Sequence, residues 1–212
     1  MLPSICRDVL LGGACIMACL TVWGQDKTTA ELPPVSTEVG VTFAAERAYV
    51  APGSCNCFWL KGGGADMSVT FWKGLGIAAA LTGDHASNAQ PGVDVNKIAY
   101  LSGPRYTYTV WANATGAHAK HSFHIFGEGL FGGVHAFNSA FPSVSGLKAS
   151  ANSFALQAGG GINLPLSRGI GVRLLELHYV RTALPNNFSD VQNDFRVGAG
   201  VTYHLTWPTW RR

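Results

Sequence analysis

Charge is scarce in this sequence. Asp, Glu, Lys and Arg make up 13% of its 212 residues, against roughly 25% in ordinary soluble domains. Long apolar runs are missing beyond the N-terminal segment, which excludes a bundle of transmembrane helices. The formal net charge is only +3 and no basic cluster stands out, so no nucleic-acid partner is predicted.

Glycine, in contrast, is abundant, with 26 residues. Low charge together with many glycines favours a β-sheet that has apolar side chains on one face and small side chains on the other. Residues 194–205 have the pattern of such a strand, because apolar and polar or small side chains alternate without a break. Successive side chains of a strand point to opposite faces, so a period of two predicts a strand.

The N-terminus predicts export. Arg7 supplies a positive charge, residues 9–22 form an apolar stretch too short to span a bilayer, and small residues precede Gln25. We therefore expect residues 1–24 to be a cleaved signal peptide, and residues 25–37 to be a polar periplasmic lead-in. Cys19 sits in a poor lipoprotein signal, because Met17 stands where a small residue is usual.

Few cysteines would remain in the mature chain. Three of the five lie in the predicted signal peptide, which leaves Cys55 and Cys57. Two thiols one residue apart could close a small, strained loop disulfide in an oxidising compartment, or could be unimportant. They lack the second pair that a metal site needs.

The alternating pattern recurs along the chain and predicts eight strands. Their approximate ranges are 38–50, 59–71, 75–82, 97–110, 122–136, 154–164, 175–179 and 194–205. The connections 72–74 and 165–168 are short, whereas the predicted loops 51–58, 83–95, 137–151 and 183–193 are long and polar. An even strand number with alternating short and long connections is typical of an outer-membrane barrel.

The predicted fold is therefore all-β: an eight-stranded antiparallel up-and-down transmembrane β-barrel over residues 38–205, with residues 206–212 as an extension. Aromatic residues near the strand ends suit the interfacial belts of such a barrel. They are Tyr49, Trp59, Trp72, Tyr108, Trp111, Tyr203 and Trp207. Closure also removes the exposed strand edges that lipid does not tolerate.

Four segments carry a resemblance to a known family. They are residues 101–106 (LSGPRY), 126–133 (FGEGLFGG), 156–162 (LQAGGGI) and 193–201 (NDFRVGAGV). In this order they resemble the small OmpA-like outer-membrane barrels of the opacity-porin type, over residues 39–205. The resemblance implies a place in the bacterial outer membrane. Such barrels usually end on an aromatic residue, whereas this chain runs on to Arg212, so its assembly signal is internal at Tyr203 or degenerate.

Charged residues fall on the predicted inner face. They are Glu38, Glu46, Asp66, Arg105, Glu128, Glu176, His178, Asp194 and Arg196. A barrel of eight strands is just wide enough for its own side chains, and buried charges must pair. We expect Arg105 and Arg196 to pair with Glu128 and Glu176, beside His178, as a structural plug. The alternative is that these charges line a narrow ion path.

Two motifs are better explained by structure than by chemistry. Residues 127–132 match the dinucleotide fingerprint GxGxxG, but the motif works only between a strand and a helix, and here it lies in mid-strand. His118, His121 and His124 are spaced by three, yet they cross from a turn into a strand, where they fall on both faces. No metal ion and no cofactor is predicted.

Catalysis is not predicted either. Some eight-stranded barrels of the outer membrane hydrolyse lipid A acyl chains with a His and a Ser two residues apart on a late strand. The nearest match is His178, but Val180 stands where the serine should be, and valine is no nucleophile.

The sequence thus predicts a non-enzymatic, monomeric outer-membrane protein with a structural or surface-interaction role. Its expected partners are outer-membrane lipid and, at the long loops, lipopolysaccharide or another surface ligand. Three alternatives stay open: a narrow pore, a lipid A-modifying enzyme and a soluble lipocalin-like binder. The last would need its apolar faces turned inward around a cavity.

Overall fold

A computed structural model describes residues 35–49, 57–90, 93–113, 120–143, 146–167, 169–186 and 190–206. The predicted signal peptide lies outside these residues, as do Cys55, His118 and almost all of the predicted C-terminal extension. Among the described residues, no helix is long and apolar enough to cross a membrane.

Eight strands make up the fold. They are β1 (Ser36–Tyr49), β2 (Cys57–Trp72), β3 (Leu75–Gln90), β4 (Val93–Asn113), β5 (Lys120–Ser143), β6 (Gly146–Ser167), β7 (Ile170–Thr182) and β8 (Gln192–Thr206). Each strand pairs antiparallel with the next, and β1 pairs with β8 from Ser36–Thr206 to Arg47–Phe195, which closes the barrel. The predicted eight-stranded up-and-down barrel is confirmed.

The polar and apolar faces of the sheet are reversed relative to those of a soluble protein: charged side chains are buried inside, and apolar side chains are exposed outside. On β8, Asp194 and Arg196 are buried while Phe195 is 60% exposed; on β1, Phe43 is 80% exposed. Large apolar side chains cover the outside of every strand, and a continuous surface of this kind is not tolerated in water. It suits the hydrocarbon of a bilayer, which rules out the lipocalin-like arrangement with its apolar faces inward.

Aromatic side chains mark both borders of this apolar band. We call the end that carries Ser36, Thr206 and the 73–74 turn the turn end, and the opposite end the loop end. At the loop end, Trp59 is exposed, and the Tyr179 and Phe195 rings meet edge to face with centroids 5.7 Å apart. At the turn end the exposed aromatic residues include Phe71, Trp72, Tyr106, Tyr108 and Tyr203.

Two of the predicted loops are in fact strand. β3 continues to Gln90 and β4 begins at Val93, within predicted loop 83–95; β5 continues to Ser143 and β6 begins at Gly146, within predicted loop 137–151. Their polar composition suggested loops, but backbone pairing does not depend on apolar side chains. Cross-strand side-chain hydrogen bonds support both hairpins, His85–Asn96 at 2.8 Å and His135–Asn152 at 2.7 Å.

A β-bulge interrupts β7. The register with β8 shifts between Arg173 and Glu176, and Leu174 and Leu175 both face outward. An extra residue on one strand changes the parity of alternation. Arg173 and Glu176, three residues apart, therefore both point into the lumen.

We predict that Phe43→Arg, near the middle of the lipid-facing band, lowers the free energy of unfolding in lipid bilayers by about 2–4 kcal/mol. The cost arises because a charge at that depth is removed from water. Urea titration of vesicle-inserted protein measures it.

The matched control is Leu205→Arg at the turn end of β8, where the cost should be about 0–1 kcal/mol because the charge reaches the interface. Equal costs at the two positions would contradict the lipid-facing assignment.

Candidate functional site: the charged lumen

The middle of the lumen holds what we call the central charge cluster. Its members come from β1, β2, β4, β5 and β7, and they are Glu38, Asp66, Arg105, Glu128, Arg173, Glu176 and His178. Most are almost fully buried, so each charge must be met by an opposite charge or a hydrogen bond. The cluster spans the interior from one wall to the other.

Arg173 is the most connected member of the cluster. Its side chain is 1% exposed, and its Nη1 lies 2.6 Å from both Asp66 Oδ1 and Glu176 Oε2. Its Nη2 lies 3.3 Å from Glu38 Oε1, and its Nε donates to Asn163 Oδ1 at 3.1 Å. One guanidinium thus joins β1, β2, β6 and its own strand β7.

Arg105 forms the second junction. Its Nε donates to Glu128 Oε2 at 2.7 Å, and its Nη2 donates to Asp66 Oδ2 at 2.9 Å. Asp66 therefore bridges Arg105 and Arg173. The ring of Phe126 lies against both guanidinium groups, 4.4 Å from the Cζ of Arg105 and 4.9 Å from that of Arg173, which adds a cation–π contact to each.

His178 stands between two carboxylates. Its Nε2 lies 2.9 Å from Glu128 Oε1 and its Nδ1 lies 3.4 Å from Glu176 Oε1. An imidazolium can donate from both nitrogens and suits this position. Gly159 on β6 makes room for the ring, because a Cβ there would lie 2.5 Å from His178 Cδ2.

Nearer the loop end lies a second group, which we call the upper charge cluster: Glu46, Asp84, Lys97, Asp194 and Arg196. Arg196 Nη1 lies 2.6 Å from both Asp84 carboxylate oxygens, and Lys97 is ion-paired with Glu46. Apolar side chains also occupy this part of the interior, among them Leu130, Val134, Phe141 and Leu184.

The structure brings some of the predicted residues together and separates others. Arg105 and Glu128 are in contact, as expected, and His178 lies beside Glu128 and Glu176. Arg196, however, pairs with Asp84 rather than with Glu128 or Glu176, whose expected partner it was. Glu176 pairs instead with Arg173, which strict alternation does not place in the lumen.

Each missed residue has a physical reason. Strict alternation from Glu176 and His178 puts Arg173 on the outside, and only the bulge at Leu174–Leu175 turns it inward. Asp84 lies in predicted loop 83–95, whereas β3 continues through it. On β4, Lys97 and Arg105 are eight residues apart, so the period of two predicts that both side chains face the lumen.

Below the central charge cluster the lumen opens as a vestibule at the turn end. Its volume is about 500 Å³. Hydroxyl, imidazole and carboxylate side chains line it, among them Ser36, Glu38, Ser68, Thr70, Thr107, Thr109, His124 and His204. The interior is thus an open, polar pocket at the turn end, with buried and paired charges above it.

The remaining sequence motifs fall outside any assembled site. Residues 127–132 lie within β5, so the strand-to-helix turn of a dinucleotide site is missing there. Arg47 Nη2 donates to Cys57 Sγ at 3.1 Å, and because Cys55 lies outside the described residues the disulfide stays a prediction. Within the described part of the chain, no three His, Cys, Asp or Glu side chains are preassembled around a metal position.

No protein-family model matches the chain, and no curated protein sequence matches it. Solved structures are similar in fold. Neisserial surface protein A is 14% identical over 79% of this chain and 96% of its own, with a TM-score of 0.55. Ail, the attachment invasion locus protein of Yersinia pestis, is 11% identical over 81% of this chain and 99% of its own, with a TM-score of 0.47.

The fold is that of the small eight-stranded outer-membrane barrels. Together with the lipid-facing apolar band of the wall, it places the protein in the bacterial outer membrane.

We predict that Arg173→Met lowers the free energy of unfolding by about 3–5 kcal/mol, because it leaves Asp66 and Glu176 without their buried cation. Urea unfolding in detergent micelles or vesicles measures the change.

Arg181→Met is the matched control, since Arg181 lies on the same strand but on the exposed face. Its effect should stay within about 0.5 kcal/mol. A loss at position 173 no larger than at position 181 would show that the central charge cluster does not hold the barrel together.

Proposed function

We propose that the protein is a non-enzymatic outer-membrane barrel whose lumen is plugged, and which serves as a rigid support for its loop-end hairpins at the cell surface. The observation that carries the proposal is the central charge cluster, where Arg105 and Arg173 share Asp66 across the lumen. Side chains from five strands meet there, so the interior is filled by protein rather than by a continuous water column.

The energetics of buried ions support a stable plug. Taking a charge out of water costs several kcal/mol, and the pairs persist only because short contacts compensate on several sides. Opening a path would separate charges that lie 2.6–2.9 Å apart. Leu130 and Val134, both fully buried on β5 between Glu128 and the loop end, add apolar packing next to these charges.

The absence of catalysis is part of the proposal. His178 is buried between Glu128 and Glu176, and the residue two positions on is Val180, which supplies no nucleophile. We infer that all three polar residues serve the plug.

The loop end supports a surface-interaction role. Basic side chains are exposed on the outer face of the barrel there, on strands from both sides of the molecule: Arg47, Lys61, Lys148 and Arg181. Lipopolysaccharide carries phosphate groups at this depth of the outer leaflet, and Lys and Arg are their natural partners. The β5–β6 hairpin adds an exposed apolar contact, because Leu147 is 73% exposed. We call the four exposed basic residues the basic rim, and we propose that lipopolysaccharide binds to it.

We predict that the wild-type barrel gives no resolvable current steps in a planar bilayer, because charged and apolar side chains fill the lumen. Arg105→Ala combined with Arg173→Ala should produce steps, since both crossing side chains are removed and the carboxylates left behind draw in water. Arg181→Ala, on the outer face, should stay silent.

A narrow pore is the second candidate, and one observation favours it. Among the described residues, lumen carboxylates outnumber permanently charged cations: Glu38, Glu46, Asp66, Asp84, Glu128, Glu176 and Asp194 against Lys97, Arg105, Arg173 and Arg196. If the wild-type protein does conduct, its steps should be cation-selective for this reason. Such steps from the wild type would refute the plug.

We predict that replacing Lys61, Lys148 and Arg181 together by Ala weakens lipopolysaccharide binding about tenfold at low salt, because each exposed contact contributes up to about 1 kcal/mol. Calorimetric titration of the micelle-bound barrel with purified lipopolysaccharide measures the affinity, and added salt should lower the wild-type affinity.

Lys73→Ala at the turn end is the control and should leave binding unchanged. Dephosphorylated lipopolysaccharide should bind the wild type as weakly as the variant binds the native lipid. Equal affinity of wild type and triple variant would remove the basic rim from the proposal.

A further inference from the structure

The fold brings three polar side chains together on the outer face of the β3–β4 hairpin, near the loop end. His85 and Ser87 lie two residues apart on β3, and Asn96 lies opposite His85 on β4. His85 Nδ1 is 2.8 Å from Asn96 Oδ1, and His85 Nε2 is 3.0 Å from Ser87 Oγ. One imidazole ring thus joins a hydroxyl group on one side to an amide oxygen on the other.

These contacts fix the tautomer of His85. The side-chain oxygen of Asn only accepts hydrogen bonds, so Nδ1 carries the ring proton and donates to Asn96. Nε2 keeps its lone pair and accepts the hydroxyl hydrogen of Ser87. A serine, a histidine that accepts its proton and a third group that orients the histidine are the parts of a nucleophilic triad, and Asn is one of the groups that serve in the third position.

The β5–β6 hairpin shows what a His–Asn pair does without a serine. His135 Nδ1 lies 2.7 Å from Asn152 Oδ1, and the ring stacks on Phe137 with centroids 5.5 Å apart. In the part of the chain that the structure describes, no hydroxyl group bonds to the other nitrogen of His135. That pair links two strands, whereas the ring of His85 also holds a hydroxyl group in position for proton transfer.

The triad lies at the loop-end border of the apolar band. In the β2–β3 ladder His85 is opposite Lys61, which is two residues from the exposed Trp59 on the same face of β2. Trp side chains lie where acyl chains meet the head groups of lipids. The ester bonds of membrane lipids lie at that depth, so the hydroxyl group of Ser87 is at the height of these bonds.

A groove in the outer wall leads up to the triad. Leu81 and Tyr100 line it, and they lie four residues from His85 and Asn96 on the same strands and on the same face. Gly83, between Leu81 and His85, leaves open space where a side chain would lie. The volume of the groove is about 500 Å³, and its lining is apolar or small, including Met67, Ala79, Leu81, Tyr100, Phe131 and Gly132. An acyl chain in this groove would bring its ester bond to Ser87.

Positive and hydrogen-bonding groups lie next to Ser87. Attack on an ester carbonyl creates an oxyanion, which needs such groups. Lys61 and His85 are both exposed, and side chains directly opposite each other have Cβ atoms about 4.5–5.5 Å apart. The ammonium group of Lys61 therefore reaches both the oxyanion and a lipid phosphate. Regular β3–β4 pairing stops at Ala86 and resumes at Gln90, so the backbone N–H groups of the segment from Ser87 onward are further donors.

We propose that Ser87 and His85, positioned by Asn96, hydrolyse the acyl esters of a membrane lipid that lies along the groove. The hydroxyl proton of Ser87 passes to His85 Nε2 while Oγ bonds to the ester carbon. The bond from that carbon to the lipid alcohol oxygen then breaks, and His85 gives the proton to the alcohol. Water, with His85 again as the base, releases the fatty acid and restores Ser87.

This activity goes beyond the proposed function. The lumen stays a plug without a nucleophile, and the outer face adds a hydrolytic activity in place of the non-enzymatic role. Two lipids carry the ester: lipopolysaccharide and glycerophospholipid. The preference for lipopolysaccharide rests on the proposed function, through the basic rim, whereas the triad itself does not.

The first test uses the chain without residues 1–24, refolded in detergent micelles and treated with a fluorophosphonate, a probe that bonds to activated serines and releases fluoride. We expect one label per barrel, on Ser87. Ser87→Ala should remove the label, and His85→Ala should slow labelling by at least about tenfold. His135→Ala is the matched control and should be labelled like the wild type. Heat-modifiable migration on a gel verifies that each variant is folded.

The second test presents lipopolysaccharide or phosphatidylethanolamine in mixed micelles, and mass spectrometry measures the released fatty acid. Ser87→Ala should lower kcat by at least about a hundredfold while it binds lipopolysaccharide like the wild type. Asn96→Ala should lower kcat without changing KM, and Asn96→Asp should restore it. If Asn96 served only the stability of the hairpin, kcat of the folded variant would not change.

Release that depends on Ser87 supports the proposal, and the lipid that reacts identifies the source of the ester. The proposal is overturned if the folded wild type neither takes the label nor releases fatty acid, if release survives in Ser87→Ala, or if His135→Ala abolishes it. A barrel that binds lipopolysaccharide but takes no label refutes the triad alone. A barrel that is labelled and cleaves phosphatidylethanolamine, yet does not bind lipopolysaccharide, refutes the basic rim alone.

Discussion

The width of the barrel is the constraint on which the rest depends. Eight strands enclose a space that side chains can fill from wall to wall, so long charged side chains can reach partners on other strands across the lumen. Arg173 illustrates this, because its guanidinium contacts groups on β1, β2 and β6 at once. Paired charges therefore fill the interior and link the strands, as an apolar core does in a soluble domain, and the apolar side chains face lipid.

The interior is not uniform along its axis. The upper charge cluster and packed apolar groups share the loop-end part of the interior, the central charge cluster follows, and the polar vestibule opens at the turn end. The two ends of the barrel therefore carry different chemical groups. The loop end carries exposed basic and polar groups, whereas the turn end has an open cavity lined by imidazole nitrogens and a carboxylate.

The sequence predicts the architecture well, because a period of two over many strands, with large apolar residues on one face, has few other solutions. It predicts the inner residues only where the period is unbroken: Arg105 and Glu128 meet as alternation requires. The period of two does not predict that Arg173 faces the lumen, because a β-bulge shifts the register of β7. It does not predict the strand that carries Asp84 either, because that segment is polar. The meeting of His124 with His204 depends on closure between distant strands, which no local pattern encodes.

That closure also affects how the protein must fold. The pairing of β1 with β8 joins the two ends of the barrel, and the contact of Glu38 with Arg173 spans 135 positions. Contacts this distant in sequence are slow to form, because the entropy of a long loop is lost before pairing compensates for it. Until the last strand arrives, the sheet has two open edges and an apolar outer face. The unassembled chain is therefore prone to aggregation, and its exposure to water has to be brief or chaperoned.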